Sequence, residues 1–251
     1  MIVLKTPAEL EVMDRANALV HETLRLVAEA AKPGVSTLEL DRLAEEHILA
    51  GGGRPAFKGY RGYPATLCTS VNEVIVHGIP SATHRLREGD ILGLDCGVVL
   101  DGFVGDAAVT VPIGRISEEA KQLLKVTREC LERAVDVVLA GRRLTDIGQT
   151  IQTHAEAAGF SVVRELVGHG IGRSMHEDPQ VYNFGPAGRG PELRPGLALA
   201  IEPMVNAGGP GVNFDDDGWT ARTEDGKLSA HFEYSVAVTE NGPWVLGVGG
   251  T

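Results

Sequence analysis

No run of about 20 apolar residues occurs anywhere in the 251-residue chain, and its start, MIVLKTPAEL, lacks the apolar core of a secretory signal. A cytoplasmic protein with no membrane partner is expected. Cysteine is scarce: Cys68, Cys96 and Cys130 are odd in number and show no CxxC spacing, which excludes a disulfide frame or a cysteine-zinc knuckle and leaves reduced thiols. Positive charge is short as well. Lys and Arg number 23 against 34 Asp and Glu, for a net charge of -11, and the densest basic cluster is the doublet Arg142-Arg143. A broad phosphate-binding face needs more than that, so no specific nucleic-acid partner is expected.

What is there reads as an ordinary globular chain, 43% hydrophobic and 23% charged. Thr6-Pro7-Ala8-Glu9 is a capping box that opens a helix to about Ala31. Ser36-Thr37-Leu38-Glu39 opens a second, which ends at Gly51-Gly52-Gly53. A third helix should run from Ser117 to about Ala140 and a fourth from Thr145 to Ala158. Residues 32–52 align with 139–159 at an offset of 107, which sets Gly34 on Gly141, Leu40 on Ile147, His47 on His154 and Gly52 on Gly159. That register implies two related halves, about 1–112 and 113–251. No Ser- or Pro-rich linker divides them, so a single domain spanning 1–251 is expected. The strands would be VNEVIVHG, DILGLDCGVV and GFVGDAAVTV in the first half. In the second they would be LALAIEP, HFEYSVAVT and PWVLGVG, with Asn241-Gly242 turning the last pair.

The segment GLDCGVVLDGFVGDAAVT poses a chemical problem, because it reads as a buried hairpin yet carries Asp95 and Asp106. With Asp101-Gly102 as its two-residue loop, Asp95 opposes Ala108. Asp106 then lies on the same face, roughly 7 Å from Asp95 at the backbone. Ionised carboxylates in an apolar setting need a compensating cation, and Leu94, Cys96, Val104 and Ala107 supply none. A metal ion answers the problem.

Further donors stand in GHGIGRSMHEDP, IEPM and FEYSVAV. His169 lies between two glycines, Glu202 ends an apolar strand before Pro203, and Glu233 interrupts another. Four carboxylates and one imidazole suit two divalent first-row ions, with shared carboxylates bridging them. Metal-assisted hydrolysis is the implied reaction class. His77 and His176, in loop contexts near these residues, are candidate hydrogen-bond donors to a reacting carbonyl. His21, His47 and His154 sit on amphipathic helices and His84 in a surface loop, and none receives a role.

The segments YRGYPATLCTSVNEVIVHGIP, LDCGVVLDGFVGDAAVTV, GHGIGRSMHEDPQVYNFG, AIEPM and DGWTARTEDGKLSAHFEYSVAVTENG, in this order, closely resemble the type I methionine aminopeptidases along essentially the whole chain. The resemblance implies an α+β pita-bread fold: two pseudo-symmetric halves whose curved antiparallel sheet is covered by helices, with the site between them. It implies removal of the N-terminal methionine from nascent proteins and peptides, with a small second residue preferred. By the same likeness, Asp95 would bind one divalent ion, His169 and Glu202 the other, and Asp106 and Glu233 both. Glu202 would also take a proton from water, and His77 and His176 would contact the scissile peptide. The methionine pocket would comprise Phe57, Tyr60, Tyr63, Cys68, Met175 and Trp219, besides His77 and His176. Co, Mn, Fe and Zn all accept the donor set. A monovalent cation near Asn72, Val74 and Ser229, a monomeric state and a ribosome contact are further implications.

The chain departs from the family's usual residues at Met175 (commonly Phe), Arg61 (often His), and His231 and Tyr234 (commonly Gln and His). It lacks the long second-half insertion of type II enzymes. The rival readings are an Xaa-Pro aminopeptidase or prolidase, which usually carries an extra N-terminal domain, and a binding module of the same fold that has lost its metal ligands.

Overall fold

A computed structural model describes residues 1–248 of the chain. Four helices form: α1 (Pro7–Ala30), α2 (Thr37–Ala50), α3 (Glu118–Asp136) and α4 (Thr145–Ala157). The two capping boxes are made as the sequence dictates, with Thr6 bonded to Glu9 and Ser36 to Glu39 at both ends of each box. The third helix stops at Asp136, short of the expected Ala140. Val137 and Val138 are β-branched, Val138 is fully buried, and Gly141 turns in the left-handed region at φ 85°. Among the described residues, no helix is long and apolar enough to cross a membrane.

In chain order the strands are β1 (Arg54–Pro55), β2 (Leu67–Val71), β3 (Val74–Val76), β4 (Ile91–Leu100), β5 (Phe103–Pro112), β6 (Ser161–Val162), β7 (Gly168–Gly170) and β8 (Glu177–Val181). There follow β9 (Ala198–Ile201), β10 (Met204–Asn206), β11 (Val212–Phe214), β12 (Ala221–Thr223), β13 (Ser229–His231), β14 (Glu233–Thr239) and β15 (Gly242–Val245). Nine of them make one antiparallel sheet, whose path runs β1-β4-β5-β14-β9-β7-β8, with β2 on β4 and β15 on β14. The first half supplies the sheet as far as β5, and the second half takes over at β14. Three-stranded sheets β13-β10-β6 and β11-β12-β3 complete the fold.

The hairpin β4–β5 has the expected register, with Asp95 opposite Ala108 and Asp101-Gly102 in the loop, both at positive φ. Three expected strands are interrupted or shifted. VNEVIVHG breaks at Asn72, whose φ of 55° turns the chain between β2 and β3. HFEYSVAVT splits at Phe232 into β13 and β14, which belong to different sheets. The last hairpin turns on Glu240-Asn241, because Thr239 pairs with Gly242 and the Thr239 hydroxyl holds the turn by bonding the Gly242 carbonyl and the Asn241 N–H. Its strand ends at Val245, and Gly249 lies outside the described residues.

The sheet's outer side carries the helices. One apolar cluster joins α1 and α2 to β2, β4 and β5; another joins α3 and α4 to β9 and β14. The 107-residue offset recurs in contacts invisible in the alignment: His47 of α2 faces Glu22 of α1 at 4.0 Å, and His154 of α4 faces Glu129 of α3 at 2.8 Å.

Candidate active site

Register alone carries the five anomalous side chains to one face. Residues directly opposite on paired strands share a face, as do residues two apart on one strand. Asp95 is opposite Ala108, and Ala108 is opposite Glu233, so Asp95, Asp106 and Glu233 project together. Across β14, Ser235 pairs with Ala200 and Ala200 with His169, which adds His169 to the same side. Glu202 follows Ile201, itself opposite Tyr234, and so falls level with Glu233. Glycine is required on both sides of His169: a Cβ at Gly168 would strike the Ala200 carbonyl and one at Gly170 the Asp178 carbonyl.

The donor atoms converge. Those of Asp106, His169 and Glu233 lie within 4.8 Å of one another, all buried. His169 Nε2 stands 3.8 Å from Asp106 Oδ2 and 3.6 Å from Glu202 Oε1, while its Nδ1 is 2.9 Å from the Gly170 carbonyl. That backbone bond fixes the ring so that Nε2 faces the carboxylates. Asp95 Oδ1, Asp106 Oδ1 and Glu233 Oε1 are buried with no protein partner. Burial drives Asp106 and Glu233 well above the usual carboxylate range, Asp95 and Glu202 adding to the first and Asp106, Glu202 and Asp95 to the second. Asp95 is pushed up to about 7, chiefly by burial. Glu202 differs: burial raises it, but the imidazoles of His231, His169 and His77 together outweigh burial and hold it below its ordinary value. Orphaned, mutually repelling oxygens around one imidazole are what a divalent cation fits.

Backbone anchors hold this face. Asn17 of α1, fully buried, accepts from the Asp106 N–H and donates to the Met13 carbonyl, while Ser235 Oγ donates to the Asp106 carbonyl. At Gly105 the helix rests directly on β5, where a Cβ would lie 2.7 Å from Asn17 N. Asn17→Ala is expected to cost about 1–3 kcal/mol of unfolding free energy by orphaning the Asp106 N–H, and Gly105→Ala to act in the same direction. Urea denaturation checks both, and an unchanged midpoint would remove this account of the anchor.

The carboxylates also set a pH dependence in the metal-free protein. Unfolded carboxylates titrate near 4. The folded chain, with Asp95 near 7 and Asp106 and Glu233 raised, still binds protons that the unfolded chain has lost. Stability therefore falls as pH rises from 6.5 to 8, by roughly 1 kcal/mol or more. Added divalent metal should cancel the fall. Chelator-treated protein equally stable at both pH values would contradict it.

Above the carboxylates lies a cavity of about 230 Å³. All the expected site residues line it: Asp95, Asp106, His169, Glu202 and Glu233 with His77, His176, Phe57, Tyr60, Tyr63, Cys68, Met175 and Trp219. Gly97, opposite Asp106, leaves room for Phe57 and Met175, which a Cβ there would strike. Tyr63 meets Trp219 edge-on at 5.0 Å, and Trp219 stands edge-on to His77 at 6.3 Å. Burial lowers His77, and burial with the neighbouring His169 lowers His176 to about 4, so both are neutral near pH 7. His176 Nδ1 is 2.8 Å from the Tyr60 hydroxyl.

Val76, Leu166, Val167 and Met204 also line the cavity and are not expected from the sequence. Their only local signal is adjacency: Leu166-Val167 precede Gly168-His169, and Met204 follows Glu202-Pro203. His231 approaches Glu202 Oε2 to 3.6 Å. Away from the cavity, the Ser229 N–H donates to the Asn72 carbonyl at 2.9 Å, which brings those two residues together beside Val74. The three cysteines are free, as expected, and all three are buried.

The model of metallopeptidase family M24 matches residues 11–240. The chain belongs to that family. This M24 metallopeptidase is 52% identical to the methionine aminopeptidase of Clostridium acetobutylicum over 246 residues, 98% of each chain. Its structure matches the crystal structure of a methionine aminopeptidase from Thermotoga maritima with a TM-score of 0.97 and 46% identity, over 98% of this chain and 99% of that one. A prolidase from Pyrococcus furiosus has the same fold, with a TM-score of 0.80 at 20% identity; the match covers 99% of this chain but 66% of the prolidase. The fold is accordingly the α+β pita-bread fold, and membership of a metallopeptidase family implies divalent metal binding.

Proposed function

We infer that the chain is a type I methionine aminopeptidase, which hydrolyses the peptide bond after an N-terminal methionine and prefers a small second residue. The observation that carries this reading is the single cavity in which an apolar aromatic wall stands over a floor of carboxylates. An unbranched thioether suits the wall, formed by Phe57, Tyr60, Tyr63, Cys68, Met175 and Trp219. The full-length identity to methionine aminopeptidases supports it.

Asp95 would hold one divalent ion, His169 and Glu202 a second, with Asp106 and Glu233 shared between them; Co, Mn, Fe and Zn suit these donors. Bound ions supply Lewis-acid polarisation of the scissile carbonyl and lower the pKa of a water. Glu202, held ionised by its imidazole neighbours, is the residue that takes the proton from the attacking water. Neutral His77 and His176 each retain one N–H for the substrate's carbonyl or amide, and the apolar wall around methionine excludes bulk water. A monovalent cation beside Asn72, Val74 and Ser229, a cytoplasmic location, a monomeric state, nascent chains as substrate and the ribosome as their source belong to the same reading. So does one catalytic domain over 1–251, with halves meeting near residue 112.

The test is release of free methionine from Met-Ala-Ser by chelator-stripped protein, with and without Co²⁺ or Mn²⁺, beside an Ala-Pro peptide. Metal-dependent cleavage of the methionyl peptide alone is expected. Cleavage of the prolyl peptide alone would make the protein a prolidase-type enzyme, and cleavage of neither by folded, metal-loaded protein would make it a binding module.

A further inference from the structure

Outside the catalytic cavity lies a second one, of about 530 Å³, whose outer wall includes Met1, Val3, Glu177, Asp178 and Gln180. The two cavities share Arg61, Val167, His169 and His176, so the outer one continues the site toward solvent. A peptide whose methionine occupies the inner cavity sends its following residues through the outer one, at about 3.3 Å per extended residue.

Most charges on that path are already matched. Glu177 accepts from the buried Lys5 ammonium and from the backbone N–H groups of Arg173 and Ser174. Asp178 pairs with the Met1 ammonium. Arg61 is the exception: among the described residues its guanidinium has no hydrogen bond and no ion pair, and the residue is exposed. It rests 5.4 Å from the centre of the Tyr60 ring, and the Tyr60 hydroxyl contacts His176. Its backbone is held at φ 48°, between Gly59 and Gly62 at φ 86° and 91°. A non-glycine residue adopts that region at a cost, and the turn fixes the direction in which the side chain leaves the chain.

A stacked guanidinium with its donor fork free is built for a carboxylate. His176 faces the scissile bond in the function inferred above, and Arg61, where the two cavities meet, is separated from it by the Tyr60 side chain, a span of about two extended residues. We propose that Arg61 forms a subsite for an acidic side chain at the third residue of the substrate, and that it disfavours a basic one there. The proposal rests on the aminopeptidase reading.

The experiment measures methionine release from the C-terminally amidated peptides Met-Ala-Glu-Ser, Met-Ala-Gln-Ser and Met-Ala-Lys-Ser, by metal-loaded wild type, Arg61→Gln and Arg61→Glu. Wild type should favour Glu over Lys by about five- to tenfold in kcat/KM, through KM, with the preference shrinking at high salt. The ratio should approach unity in Arg61→Gln and invert in Arg61→Glu. Because each ratio is taken within one variant, a change in active fraction does not move it. An unaltered ratio in Arg61→Gln, or no Glu preference in wild type, overturns the subsite while the aminopeptidase reading stands. No methionine from any of the three peptides overturns that reading, and the subsite with it.

Discussion

Asp106→Asn and Glu233→Gln are each expected to lower methionine release by more than about 100-fold, beyond the range seen when only a ligand's supporting partner is lost, and yet to make the metal-free protein more stable. Both carboxylates are buried, each leaves an oxygen without a protein partner, and both are pushed toward the protonated form by burial, Asp106 also by Asp95 and Glu202, and Glu233 also by Asp106, Glu202 and Asp95. A neutral amide of nearly the same shape removes that repulsion, and with it the charge that would neutralise a divalent ion. Peptide hydrolysis at saturating metal and urea denaturation in chelator read the two effects separately. Full activity in either variant would end the assignment of these residues as shared ligands. Lowered metal-free stability would end the electrostatic account of the site.

Glu202→Gln should cost about 10²–10⁴ in kcat, the usual range for a lost general base. Alone among the carboxylates of this face, Glu202 sits below its ordinary pKa, because His231, His169 and His77 surround it. It is thus ionised and able to accept a proton at a pH where its neighbours resist ionisation. His77→Ala and His176→Ala should each cost about 10²–10³ as lost donors to the reacting carbonyl. The contrast lies in pH: His176→Ala should keep the acidic limb of the kcat profile that Glu202 controls, His77→Ala should move it upward because His77 helps hold Glu202 low, and Glu202→Gln should abolish it. A Glu202→Gln enzyme with wild-type kcat would move the base elsewhere.

Elements closed by local chemistry are legible in the amino-acid sequence. The capping boxes at Thr6 and Ser36 and the Asp101-Gly102 turn are decided within a few residues, and the hairpin turn alone fixes the facing of Asp95 and Asp106. The candidate ligands are legible for a different reason: a carboxylate in an apolar strand is an anomaly wherever it stands. Long-range choices leave no such trace. The break at Asn72 and the division of HFEYSVAVT at Phe232 follow from strands that leave for other sheets, and the pairing of β5 with β14 has no local signature. Leu166 and Met204 look like ordinary core residues until the fold sets them at the cavity wall. The last hairpin turns one residue earlier than Asn241-Gly242 implies, because the Thr239 hydroxyl, not the Asn-Gly pair, decides where that chain reverses.

The joint between β5 and β14 is short, with Ala108 opposite Glu233 and Ala107 opposite Tyr234 as its paired residues. Asp95 and Asp106 lie on one side of it, and His169, Glu202 and Glu233 on the other. An ion seated on this face would therefore act as a rivet through two plates, fastening the molecule across a seam of two directly opposed residue pairs. Chelation loosens that fastening before it touches either plate, so the order in which the protein comes apart depends on what the ligands hold.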